Sequence, residues 1–407
     1  MENQLNKYAE LAVKVGANVQ KGQYLWVSAP IGTEDFVRRV VKEAYAAGAS
    51  KVHVEWQDDV ITRTHFELAS EEAFREFPEW IVQAYEELIE KRGTLLHIDA
   101  SDPDLLKGID VDRIMAYQKI QGEALEKFKE AMQTDKISWS IIALPSPKWA
   151  TKVFPNLPEA DRMPALWEAI FKSVRIDLDN PIEAWKTHIE TLKSKATQMT
   201  EKKFKKLHYK APGTDLTIEL PEKHLWVTGS SVTPEDVTFV ANMPTEEVYT
   251  VPVKTGVNGY VSSSKPLAYR GNVIDEFKLT FEDGKIVQVE AKEGQELLEK
   301  MIATDEGASY IGEVALVPHH SPISNSGILF FNTLFDENAS NHLAIGSAYP
   351  TCYEGGAELS EEERKEAGMN DSIVHEDFMI GSEAMDIDGI YEDGTSEPIF
   401  RKGNWAF

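Results

Sequence analysis

Cysteine is nearly absent: Cys352 stands alone in 407 residues, so no internal disulfide can form and a reducing compartment is expected. No partner histidine is implied for that thiol, so it is not expected to be a nucleophile. Long hydrophobic runs are also missing. No stretch reaches the roughly 18 apolar residues that a membrane-spanning helix needs, so no membrane association is expected. Basic charge is scarce, with 42 lysines and arginines against 68 acidic residues; a net charge of -26 repels a polyphosphate backbone and excludes nucleic acid as an expected partner. The densest basic stretch, Lys202-Lys203-Phe204-Lys205-Lys206, reads as a solvated helix end or edge strand. Glycine is missing where a dinucleotide would need it. The first strand is followed by Ala29-Pro30-Ile31-Gly32-Thr33, which lacks the phosphate-binding fingerprint, so a doubly wound shape implies no nucleotide here. The first residues, Met1-Glu2-Asn3-Gln4-Leu5-Asn6-Lys7, form neither a basic nor an apolar leader region, and the expected location is the cytoplasm.

What is present describes a packed protein. Hydrophobic residues at 42% and charged residues at 27% exclude a disordered chain, and the length exceeds one ordinary core, so two domains are expected. The first half alternates strand-like and helix-like segments, the pattern of an α/β domain with a largely parallel sheet. Tyr24–Ser28 is a compact apolar run. Thr33 then caps a helix whose Phe36, Val37, Val40, Val41 and Ala44 follow the 3.6-residue period up to Gly48. Lys51–Trp56 is a second strand. A helical pattern through Trp80, Ile81, Ala84, Tyr85, Leu88 and Ile89 stops at Gly93, before the strand Leu95–Ile98. Another helix, around Ile114, Tyr117, Ile120, Ala124 and Phe128, leads into the strand Ile137–Leu144. Helical stretches over 164–173 and 180–199 close this half.

Beyond Leu207 the composition turns to short strands and tight turns. The boundary falls between 200 and 212, giving an α/β domain over 1–205 and an antiparallel-rich α+β metal-binding domain over 206–407. Asp215–Leu220 alternates at period two, and Phe277–Phe281 and Ile286–Val289 flank Asp283-Gly284 as a hairpin.

The candidate chemistry lies in this second half. His375 and Asp377, inside Ser372–Ile380, share one face if the segment is a strand, and imidazole with carboxylate suits zinc, cobalt or manganese better than calcium. The competing reading is a half-buried strand whose His and Asp bond to each other. Glu337 and His342 are five apart, about 140° around a straight helix, so either the segment bends or a site lies across its end. Glu313 opens the apolar run Val314–Pro318, buried at its edge or solvated. Glu246 and Glu247, in Asn242–Thr250, are equal candidates on chemistry alone.

The order and spacing of Asn242–Val248, Leu334–His342 and His375–Gly381 resemble the aminopeptidase T and aminopeptidase II type of metalloaminopeptidase, and the likeness continues through Met385–Gly389 and Pro398–Ala406. It covers the second half strongly and the first in general layout. The resemblance implies metal-binding carboxylates at Glu247 rather than Glu246 and at Glu313, with His342, His375 and Asp377 completing the set. Glu337 matches a further acidic position, and Tyr349 a tyrosine that assists the transition state. Asn341 departs from the pattern, since many members carry cysteine there.

Six ligands with four carboxylates are too many for one tetrahedral ion and suit two divalent ions, zinc, cobalt or manganese, sharing a bridge expected at Glu313. The function so implied is a dinuclear metalloaminopeptidase, a hydrolase acting on short peptides with a free N-terminus, in a homodimer, with Glu313 and Tyr349 as catalytic groups. The alternatives are another dimetal amide hydrolase, a deaminase, or a non-enzymatic peptide-binding protein.

Overall fold

The computed structural model describes all 407 residues, which form two compact units, Met1–Glu190 with Gly229–Thr245, and Thr191–Thr228 with Glu246–Phe407. In the first unit, β1 (Tyr24–Pro30), β2 (Lys51–Gln57), β3 (Thr94–Asp99), β4 (Ser138–Ala143) and β5 (Asn242–Met243) form one sheet in the order 2-1-3-4-5, parallel throughout. Strand β5 arrives from the returning segment 229–245, which no local pattern in the sequence announces. Leu25, Val27, Leu96, Ile98 and Ile142 fill the sheet core, while the edge strand β2 buries no residue fully. Helix Glu34–Ala47 buries Phe36, Val37, Val40 and Ala44 and ends on Gly48 in the left-handed region (φ +101°).

Two local expectations are corrected and one helix is added. Thr33 sits at the N-cap position, but its hydroxyl donates to the Pro30 carbonyl at 2.6 Å instead of accepting from the helix. Trp80, counted on the buried face of helix Glu79–Glu90, is 69% exposed; it lies about 80° around the helix from the buried Leu88. Helix Asp59–Leu68, capped by Asp58 on the Val60 and Ile61 amides, has no counterpart in the pattern reading because it buries only Phe66.

The second unit is antiparallel. A nine-stranded sheet holds the expected strand Thr214–Glu219 and the hairpin Asn272–Glu282/Lys285–Glu293, turned by Asp283 and Gly284, both at positive φ. A second sheet has five strands in the order β9-β8-β7-β6 and then Val227–Thr228, where β6 is Val248–Thr250, β7 Ile311–Leu316, β8 His342–Gly346 and β9 His375–Met379. Its register pairs Glu313 with Ala344 and Ala344 with Asp377; the neighbouring row pairs Tyr249 with Ala315 and Ala315 with His342. Directly paired residues share a face, and so do residues two apart. One face therefore carries Glu313, His342, His375 and Asp377, interleaved with the small Ala315, Ala344 and Gly346.

Glu313 is not the strand opener the sequence suggested but the third residue of β7, wholly buried in a strand whose six residues all are. It follows a register shift at Ile311/Glu313, where Gly312 lets the chains meet closely: a Cβ there would lie 2.2 Å from the Gly346 carbonyl oxygen and 2.4 Å from that of Ser347. Backbone cannot yield as a flexible side chain can. Gly312→Ala is expected to destabilise the chelated protein by ~1–3 kcal/mol, read by urea denaturation.

Candidate metal centre

Each histidine on this face is oriented by backbone carbonyls of other residues. The helical segment Thr333–Asp336 tightens into the 3-10 turn Glu337–Ala339, Ser340 turns to extended geometry, and His342 begins β8. The chain thus bends between Glu337 and His342, which resolves the awkward spacing. His342 Nδ1 donates to the carbonyls of Glu337 and Ser340, both at 3.0 Å, and His375 Nδ1 donates to the Ser347 carbonyl at 2.7 Å. Both rings are left presenting Nε2, the arrangement that second-sphere carbonyls give to metal-ligating histidines.

Against those nitrogens stand carboxylates. His342 Nε2 lies 2.9 Å from Glu247 Oε2, 3.8 Å from Glu313 Oε1 and 3.9 Å from Asp377 Oδ1. His375 Nε2 lies 3.6 Å from Glu313 Oε2 and 3.8 Å from Asp377 Oδ2, too far for the direct His–Asp bond of the competing reading. Two donor groups result, Glu247 with Glu313 and His342, and Glu313 with His375 and Asp377, each with its atoms within 4.8 Å of one another. Glu313 belongs to both, one oxygen facing each histidine. Glu246, the other early candidate, belongs to neither group; its backbone N–H donates to Asn338 Oδ1.

Glu337 is buried nearby and belongs to neither three-donor group, yet it shares their field. Burial first, then Asp377, Glu247 and Glu313, push its carboxyl well above the ordinary range. Glu313 is raised the same way, by burial and then by Asp377 and Glu247. For His342 burial opposes charge, but the bond to Glu247 and the charge of Asp377 outweigh it and lift the ring to about 9. Without cations, protons occupy this cluster. Tyr349 packs edge-on against His375, with ring centroids 4.9 Å apart, and burial followed by the surrounding carboxylates keeps its phenol protonated.

Divalent metal fits these donors. Asp377 Oδ1 is buried without a hydrogen-bond partner. Atoms ~2.1 Å from one tetrahedral ion lie about 3.4 Å apart, close to the 3.6–3.8 Å separations within the two groups, His342 to Glu313 and His375 to Glu313 and Asp377. Supporting residues without any sequence signal complete the frame. The Asp305 carboxylate accepts from Ala308 N, Ser372 Oγ and Ile373 N and so ties down the loop entering β9. Asn341, the departure from the resembled pattern, uses its amide oxygen to accept from Val317 N at 2.8 Å, closing the end of β7.

Residues 1–405 match the family described as thermophilic metalloprotease (M29). The chain is 54% identical to aminopeptidase AmpS of Bacillus subtilis, over 99% of this chain and 98% of that protein. It is 50% identical to aminopeptidase 2 of Geobacillus stearothermophilus, over 100% and 98%. Its fold is similar to that of wild-type AmpT from Thermus thermophilus, with a TM-score of 0.91 at 41% identity and full coverage of both chains. A single profile spanning nearly the whole sequence, with a matching fold and converging carboxylates and imidazoles, leads to one conclusion: the chain belongs to the M29 family of metalloproteases.

Proposed function

We propose that this protein is an aminopeptidase that hydrolyses the N-terminal residue from short peptides at a centre of two divalent ions, zinc, cobalt or manganese. The observation that carries the reading is Glu313, whose two oxygens face two different histidines in two donor groups. Glu247, Glu313 and His342 would hold one ion, and Glu313, His375 and Asp377 the other. When bound, such ions lower the pKa of water toward about 7 and polarise a carbonyl.

The chain's own groups supply the rest. Glu337, buried beside both donor groups and a member of neither, takes the proton from the attacking water and returns it to the leaving amine. The protonated Tyr349 phenol donates to the oxyanion of the tetrahedral intermediate. Carboxylates in excess over imidazoles favour a substrate with a cationic end, the free α-ammonium, which restricts cleavage to the first peptide bond. Tyr349→Phe should lower kcat by about 10²–10³-fold with metal content and KM unchanged, as steady-state kinetics would measure.

Cytoplasmic action and a homodimer belong to the same reading. The single buried Cys352 accords with a reducing compartment. Exposed Val60, Ile61, Leu68 and Trp80 in the first unit offer apolar surface for a second copy to cover. No helix is long and apolar enough to cross a membrane. The assignment is tested by offering matched short peptides with free and acetylated N-termini. Release of the first residue from the free peptide alone is expected, and equal cleavage of both would overturn it.

A further inference from the structure

Beside the metal ligands lies an amide that no step above uses. Asn338 is wholly buried in the 3-10 turn Glu337–Ala339. Its Nδ2 donates to the Leu334 carbonyl at 3.0 Å, anchoring the side chain to its own turn, and to Glu337 Oε1 at 3.3 Å. Its Oδ1 accepts from the Glu246 N–H at 2.7 Å, a contact spanning 92 residues of sequence. One planar group therefore sets the Glu337 carboxylate against the peptide that leads into Glu247.

We infer that Asn338 is a positioning residue of the metal centre, fixing Glu337 relative to Glu247 so that the two carboxylates serve one site. The inference rests on the two-ion reading of that site. Both ends of the amide matter physically. A buried backbone N–H without an acceptor carries a desolvation cost that a shift of the Glu246–Glu247 segment would relieve, and a buried carboxylate that loses a donor turns toward another. Leucine keeps the branched four-atom outline of asparagine but is bulkier and can do neither job, while Asn338→Ser adds no bulk, so the two variants together separate hydrogen bonding from packing. Partners of this kind are worth about 10–100-fold in metal affinity elsewhere.

The test uses the full chain loaded with cobalt, whose visible absorption reports the ligand field. Affinity is read by competition with a chelator, and folding by circular dichroism of the metal-free protein. Asn338→Leu is expected to bind cobalt about 10–100-fold more weakly and to shift the visible band. Leu216→Ala, a core change in the nine-stranded sheet of the same unit, should lower stability while leaving band and affinity at wild-type values. If Asn338→Leu does not fold, Asn338→Ser carries the same two readouts. A folded Asn338 variant with wild-type affinity and band, or a Leu216→Ala protein that moves both equally, overturns the inference. Failure of the wild type to bind cobalt would instead overturn the two-ion reading.

Discussion

Glu313→Gln should leave a folded protein that holds one metal ion or none and has lost about 10³-fold or more in kcat/KM. The reasoning starts from geometry: Glu313 Oε1 faces His342 and Oε2 faces His375, and an amide can offer an oxygen to one side only. Loss of one ion forfeits several kcal/mol of charge stabilisation in the transition state, and about 4 kcal/mol already corresponds to ~10³-fold. Unfolding is not the cause. Burial and the nearby Asp377 and Glu247 already push the Glu313 carboxyl well above the ordinary range, so the neutral amide resembles the form that the metal-free protein prefers. In chelator, Glu313→Gln should therefore melt at least as high as the wild type. A variant with lost activity and a lowered metal-free melting point would indicate damage to the fold instead. Metal analysis and calorimetry on the same sample separate the two.

The same charge crowding makes the stability of the metal-free protein fall with rising pH and the affinity for metal rise with it. In the metal-free fold, Glu313 and Glu337 are raised well above their ordinary values, and His342 is raised to about 9 from 6.5. Each group binds its proton more tightly folded than unfolded. The stability it contributes is complete below its unfolded pKa and is lost as pH rises through its folded one. Chelated protein should therefore lose stability as pH rises from about 4.5, the ordinary value of the two carboxyls, to about 9, with His342 alone accounting for about 3 kcal/mol. Metal requires the deprotonated ligands, so its affinity rises over that window and the loaded protein gains relative to the chelated one. Denaturation at several pH values, with chelator and with zinc, measures both curves. Parallel curves, or chelated protein that strengthens toward alkaline pH, would contradict the description of the cluster.

The elements most legible in the sequence were those whose period is local. Helix Glu34–Ala47 and the hairpin at Asp283-Gly284 appear where periodicity and turn chemistry place them. His375 and Asp377 were readable as a same-face pair because β9 keeps period two. Glu313 was harder, because a strand buried on both faces shows no alternation, and its carboxylate looked like a boundary. Glu337 and His342 defeat periodicity since a 3-10 turn and a strand separate them within five residues. Sheet register, which brings Glu313 beside Ala344 and Ala344 beside Asp377, is set by long-range pairing that no window of sequence contains. The backbone carbonyls of Ser347, Glu337 and Ser340 that aim the imidazoles have no side-chain signature at all. Resemblance to a known family pointed to the candidate donors across that gap, while Asn338 and Asp305 emerged only from the folded chain.

Anomalous diffraction at the absorption edge of the bound metal, from crystals of active protein, locates the ions directly. Two peaks are expected per chain, one among Glu247, Glu313 and His342 and one among Glu313, His375 and Asp377. A single peak, or peaks away from Glu313 in protein that still releases N-terminal residues, would contradict the shared-carboxylate centre.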